Sequence, residues 1–278
     1  MPSVDDDLTI FRTNWLRAIA MAWADPTDAF KNDLIRDPQG TLTTTFSFAW
    51  PWPNSVTLQV VEKPQDFLWV GDSWTWPHRQ EQDKLTLVVP LQARNIVAAD
   101  HALALADYYA AYPSLFGGRS SAIEKAGFRA ETTSLHPEFT SALKATGASA
   151  AFAATFASTS APVDGFYPTQ GSFFNFQVAL LSVMAKAWEN DNFRTLITKV
   201  PVAALNSIRD YKLPWAITLE IRDDTVATWD KAKKAWLNAQ PNILQLCLPT
   251  RPPTSRDQTI AIAAYNSTGA EFPFTCCA

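Results

Sequence analysis

Two adjacent thiols close the sequence, in Glu271-Phe272-Pro273-Phe274-Thr275-Cys276-Cys277-Ala278. The third cysteine of the chain, Cys247, sits inside an apolar run and reads as a buried, inert thiol. Three chemistries are open to Cys276 and Cys277. A disulfide between neighbours is strained, because α-carbons across one peptide bond lie about 3.8 Å apart and bridged cysteines prefer roughly 4.4–6.8 Å. Thiolates suit a soft metal ion, but two ligands leave its site incomplete. A backbone-modifying enzyme has a third use for them. Each nucleophile lies beside the preceding backbone carbonyl, and attack with loss of water closes a thiazoline at cysteine or an oxazoline at Thr275. That route needs a segment able to enter another protein's active site, and chain ends are mobile unless tied down.

Catalytic constellations are missing from the rest of the sequence. His78, His101 and His136 show no metal-binding spacing and read as surface or loop residues. There is no nucleophile elbow, phosphate-binding loop or dinucleotide fingerprint. Trp50, Trp52, Trp74, Trp76 and Trp229 could line a groove, although core packing accounts for at least half of them. No catalytic residue, metal or cofactor is expected. The net charge of −4 argues against nucleic acid as a partner. No basic-then-apolar signal opens the chain, and the uncharged window 145–163 is too poor in large apolar residues to span a membrane. These features, with too few cysteines for a disulfide framework, point to the cytosol.

The elements that must carry the thiols come in two related sets. Phe11, Trp15, Leu16, Ile19, Ala22 and Trp23 return 165 positions later as Phe176, Leu180, Leu181, Met184, Ala187 and Trp188. Phe30, Pro38, Leu42 and Pro51-Trp52 return after 163 as Phe193, Pro201, Leu205 and Pro214-Trp215. Val56–Val60 returns after 161 as Ile217–Ile221, and Leu85–Pro90 after 159 as Leu244–Pro249. The offset falls in steps between elements, as expected when connections change length on a surface.

Spacing predicts helices over Leu8–Trp23, Thr27–Ile35, Asn95–Tyr112, Phe174–Glu189, Asn192–Thr198 and Thr225–Leu237, with a helix or turn over Val202–Arg209. Strands are predicted over Thr41–Phe48, Val56–Glu62, Asp66–Val70, Leu85–Leu91, Ile217–Arg222 and Asn242–Leu248, with Gly71–Gln82 a loop and Lys63-Pro64-Gln65 a turn. Helices ahead of strands give an α+β class, each module packing N-terminal helices on a small, mostly antiparallel sheet. The expected divisions are a first module over 1–92, a helix and an Ala/Ser/Thr-rich connection over 93–172, a second module over 173–250 and a flexible tail over 251–278. Pro249–Arg256 is expected to end the folded part.

Ala22-Trp23-Ala24-Asp25-Pro26, followed by Phe30-Lys31, Leu34-Ile35, Asp37-Pro38 and Leu42, resembles the leader module of natural-product precursors related to the nitrile hydratase α subunit. Val56–Glu62 and Leu87–Pro90 extend the likeness over most of the first module. It is looser over the second, where Asn190-Asp191 replaces the first Asp-Pro. The nearest type is the large thiazole/oxazole-modified microcin (TOMM) precursor with a terminal cysteine pair. The resemblance implies a substrate rather than an enzyme. It implies that Cys276, Cys277 and Thr275 are the modified residues, and that Phe11, Trp15, Trp23, Phe30, Leu34, Trp188 and Phe193 serve recognition by a tailoring enzyme. That enzyme would be a cyclodehydratase or an iron-dependent cysteine oxidase, followed by a protease or exporter that releases a bacteriocin-like or metallophore-like product. The nitrile hydratase metal motif is absent, which implies loss of that activity. The other reading is a non-catalytic binding or assembly protein built from a duplicated α+β module.

Overall fold

Aromatic residues at helical spacing dictate where the chain starts to fold. Phe11, Trp15, Ile19, Ala22 and Trp23 form the buried stripe of α1 (Val4–Ala24). Asp25 then turns the chain. Its carboxylate accepts from the Thr27 hydroxyl (2.6 Å), the Thr27 N–H (2.8 Å) and the Phe30 N–H (2.8 Å), capping α2 (Ala29–Arg36). The Thr27 hydroxyl, then the Phe30 N–H, hold its carboxyl down at about 2. Asp37 caps α3 (Pro38–Phe46) through the Gly40 N–H at 3.0 Å. Then come β1 (Val56–Glu62), β2 (Leu68–Val70), β3 (Ser73–Thr75), β4 (Lys84–Val89) and, after a 3-10 turn at Ala98–Asp100, α4 (His101–Ala111). The second set is α5 (Gln170–Glu189), α6 (Asp191–Lys199), α7 (Pro201–Arg209), β5 (Thr218–Asp223), β6 (Thr228–Asp230), β7 (Ala235–Leu237), β8 (Asn242–Leu248) and α8 (Ser255–Ser267). Asn190 repeats the role of Asp25 with an amide, accepting from the Phe193 N–H at 3.0 Å.

The structure, a computed structural model, describes residues 4–53, 55–62, 68–71, 73–75, 83–111, 170–209, 211, 213 and 217–267. The turn expected at Lys63–Gln65, the connection over 112–169, Trp76, His78 and His136 lie outside them.

The class is α+β, with two tandem related modules and, among the described residues, three of five strand pairings antiparallel. The two modules share their main sheet. Its order is β1–β8–β4–β5, so each module's first long strand pairs with the other module's last. β1 runs parallel to β8 and β4 parallel to β5, while the central pair β4–β8 is antiparallel. In that central pair Leu85 faces Leu244, Lys84 faces Gln245 and Thr86 faces Ile243. Adding 159 to 84, 85 and 86 gives 243, 244 and 245, so the register maps onto itself. A pseudo-two-fold axis therefore passes through Leu85 and Leu244, both fully buried.

Side chains finish this pair where its ladder stops. Asp83, just before β4, accepts from the Cys247 N–H at 2.7 Å. Asn242, its counterpart 159 residues on, accepts from the Val88 N–H at 2.9 Å. Both polar groups are buried, and each satisfies a backbone donor across the axis.

Four sequence expectations need correction. Thr41–Phe48 is not a strand: Pro38 at the first turn and the Asp37 cap commit it to α3, against its β-branched composition. Thr225–Leu237 is not a helix but the β6–β7 hairpin. Its approach is fixed by Asp224, which accepts from the Val226, Ala227 and Gln240 N–H groups, and its turn by Asp230, which accepts from the Ala232 and Lys233 N–H groups. Gly71–Gln82 is not all loop, since β3 pairs with β2, Trp74 opposite Trp69. Folded structure does not end at Pro249–Arg256: α8 follows, with Ala261 and Tyr265 buried.

Candidate functional site

α8 is the last described element before the cysteine pair, and tryptophans anchor it and the strand that leads into it. Trp15 Nε1 donates to the Tyr265 hydroxyl at 2.9 Å, and Trp74 Nε1 to the Ala261 carbonyl at 2.9 Å. Trp23 Nε1 donates to the Pro249 carbonyl at 2.9 Å, holding the exit of β8. All three indoles belong to the first module, while their acceptors belong to the second. Burial pushes the Tyr265 hydroxyl well above its ordinary pKa, so it stays a neutral partner for Trp15.

Two of these three anchors recur on the other side of the axis, while Leu180, which has no side-chain donor, stands at the place of Trp15. Trp188 Nε1 donates to the Pro90 carbonyl at 2.7 Å, and Trp236 Nε1 to the Ala104 carbonyl at 2.8 Å. Tyr108, buried like Tyr265, meets Trp236 edge-on at 5.7 Å. Ala104 and Tyr108 precede Ala261 and Tyr265 by 157, so α4 and α8 are copies of one helix. The sequence carried this signal, as Ala104-Leu105-Ala106-Asp107-Tyr108 against Ala261-Ile262-Ala263-Ala264-Tyr265. The proline-rich stretch before it masks the signal by reading as the end of the folded part. Each module thus lends its last strand and last helix to the other.

A further anchor, on the β6–β7 hairpin, also differs between the copies. Trp229 Nε1 donates to Asp107 Oδ2 at 3.1 Å. At the equivalent place Trp69 Nε1 is buried with no partner among the described residues, and Ala264 stands where Asp107 stands. Leaving a buried donor unsatisfied costs about 1–3 kcal/mol. Ala264→Asp should therefore raise the urea midpoint at unchanged slope, a gain of about 1 kcal/mol. Asp107→Ala should lower it. An unchanged midpoint for both would refute the pairing of these positions.

Of the residues expected to serve recognition, Phe11, Trp15, Trp23, Leu34 and Phe193 are buried, and Phe30 and Trp188 are partly buried against the same core. Phe11 packs edge-on to Trp50 (5.2 Å) and Trp52 (6.4 Å). Among the tryptophans weighed as groove residues, Trp50, Trp52 and Trp74 are core and Trp229 is partly buried. His101 begins α4, its Nε2 3.2 Å from the Ile96 carbonyl and its ring 5.5 Å from that of Trp188. Cys247 is buried in β8, as expected.

Thr275, Cys276 and Cys277 lie outside the described residues. Cys277 is ten positions beyond Ser267 (277 − 267), a length of chain that spans at most about 35 Å when fully extended. Among the described residues no cluster of His, Cys, Asp or Glu could hold a metal ion, and no helix is long and apolar enough to cross a membrane.

A family model described as "Ribosomal natural product, two-chain TOMM family" matches residues 6–116 and again residues 171–273, most of the chain. Both matched stretches include the copied helix, α4 in one and α8 in the other. No curated protein and no solved structure matches.

Proposed function

The chain belongs to the two-chain TOMM family of ribosomal natural products, and from that premise we propose that it is the substrate of a tailoring enzyme that alters Cys276 and Cys277, with Thr275 a further target. The observation that carries the proposal is where the likeness stops. The second matched stretch ends at residue 273, and Phe274-Thr275-Cys276-Cys277-Ala278 lies just beyond it. The repeated, folded part is the handle, and the short segment after it is the material worked on.

In the azoline route Cys276 Sγ bonds to the carbonyl carbon of Thr275, and Cys277 Sγ to that of Cys276. Each carbonyl oxygen leaves as water, so one water is lost per ring. Oxidation of the thiols by an iron-dependent enzyme is the other chemistry these residues suit. Modification takes place in the cytosol and the released product is exported. The recognition residues act through shape: Phe11, Trp15, Trp23, Phe30, Leu34, Trp188 and Phe193 hold the surface that the enzyme reads.

Deleting Phe272–Ala278 tests this division. The shortened chain, expressed with the tailoring enzymes of the producing cell, should melt like the full chain and still co-purify with its enzyme, yet yield no modified product. Loss of enzyme binding would place recognition in the tail and overturn the proposed role of the folded part.

A further inference from the structure

The two outer edges of the main sheet are finished differently. β1 is one edge and β5 the other. At β1, Trp50 Nε1 donates to the outward carbonyl of Val56 at 2.7 Å. With its amide turned so that oxygen faces the donors, Gln39 accepts from the outward N–H of Leu58 at 3.2 Å. Polar side chains thus cover groups that another strand would otherwise seek.

At β5 the equivalent side chains cannot do this. The offset of 163 places Leu213 where Trp50 stands and Val202 where Gln39 stands. Neither has a polar side-chain atom, and Val202 is 43% exposed. Thr218 N–H donates to the Asp83 carbonyl and Asp224 N–H to the Val89 carbonyl, both toward β4. By alternation Leu219, Ile221 and Asp223 point their backbone groups outward. Among the described residues no strand pairs with that side.

We propose that β5 is a self-association edge, on which a second copy of this chain adds its own β5 antiparallel to make a continuous eight-stranded sheet. The charge pattern selects this occupant. Centred on Ile221, the antiparallel register sets Ile221 against Ile221 of the second copy as a hydrogen-bonded pair, with Leu219 against Asp223 on either side. Glu220 then faces Arg222 of the second copy, twice, at the positions where cross-strand side chains come closest. Within one chain Glu220 already meets Arg222 at 2.6 Å and pairs with Lys84, so both charges stand on one sheet face. Those contacts, Arg222 first, hold the Glu220 carboxyl down at about 2 and keep it ionised for such a pair. The register also brings exposed Val202 beside the joint, where association covers it.

The full chain, measured by sedimentation and light scattering, should show a species of twice the chain mass. Arg222→Glu sets like charges face to face and should weaken the dimer at least about tenfold. The melt should change little, because the Arg222 side chain is 53% exposed in the monomer. Val202→Glu tests the apolar flank without touching the ion pair, should weaken the dimer too, and decides the matter if Arg222→Glu does not fold. A monomeric wild type overturns the proposal, as does a dimer indifferent to both variants. A monomer that takes an extended peptide of its tailoring enzyme along β5 would give the edge to that partner and equally refute self-association.

Discussion

Leu85→Ala should unfold both modules together. Leu85 is fully buried on the pseudo-two-fold axis, opposite Leu244. Truncating a buried leucine costs about 2–5 kcal/mol, a large share of the roughly 5–15 kcal/mol that holds a typical domain. Leu244→Ala should cost a similar amount, because the axis makes the two sites equivalent. Their double variant should depart from the sum, since the residues face each other. Tryptophan fluorescence and far-ultraviolet circular dichroism should then fall in one coincident transition, at a lower midpoint. Two separate domains would instead give two transitions, only one of them shifted. That outcome would contradict the exchanged sheet, in which β8 lies between β1 and β4.

Cys276→Ala and Cys277→Ala should act on the product and leave the fold alone. Each single variant should remove one of the two cysteine-dependent mass changes, and the double variant should remove both. Thermal melts should match wild type, because the last described contacts of the chain, at Ala261 and Tyr265, lie upstream. Cys247→Ala is the contrasting case. Its thiol is buried in β8, so the substitution should lower stability and leave the pattern of modification unchanged. A modification that follows Cys247 instead would refute the assignment.

Much of this architecture was legible because the repeat is written in large residues. Trp23 and Trp188, or Leu85 and Leu244, keep their types because each fills the same space on its own side of the axis. The exchange of strands was not legible. Periodicity reports which face of an element is buried, while pairing of β1 with β8 spans almost two hundred residues and leaves no local trace. Local signals also misled where tertiary context overruled composition. The β-branched run in Thr41–Phe48 suits a strand, yet Asp37 and Pro38 start a helix there that β1 packs against. In Thr225–Leu237 the alternation of Trp229 and Trp236 across a hairpin looks helical until Asp224 and Asp230 are seen holding the turns. The candidate site was legible only as chemistry. Adjacent thiols suggest what can be made from them, but the helix that carries them was visible only as a faint echo of Ala104 and Tyr108.

The most direct test of the substrate role is the intact mass of the wild-type chain from cells that also carry its tailoring enzymes, followed by fragmentation of the C-terminal peptide. The account predicts mass changes confined to Thr275-Cys276-Cys277, one water lost for each ring or an oxidative change at the thiols. Unaltered Cys276 and Cys277 in the presence of active tailoring enzymes would contradict it.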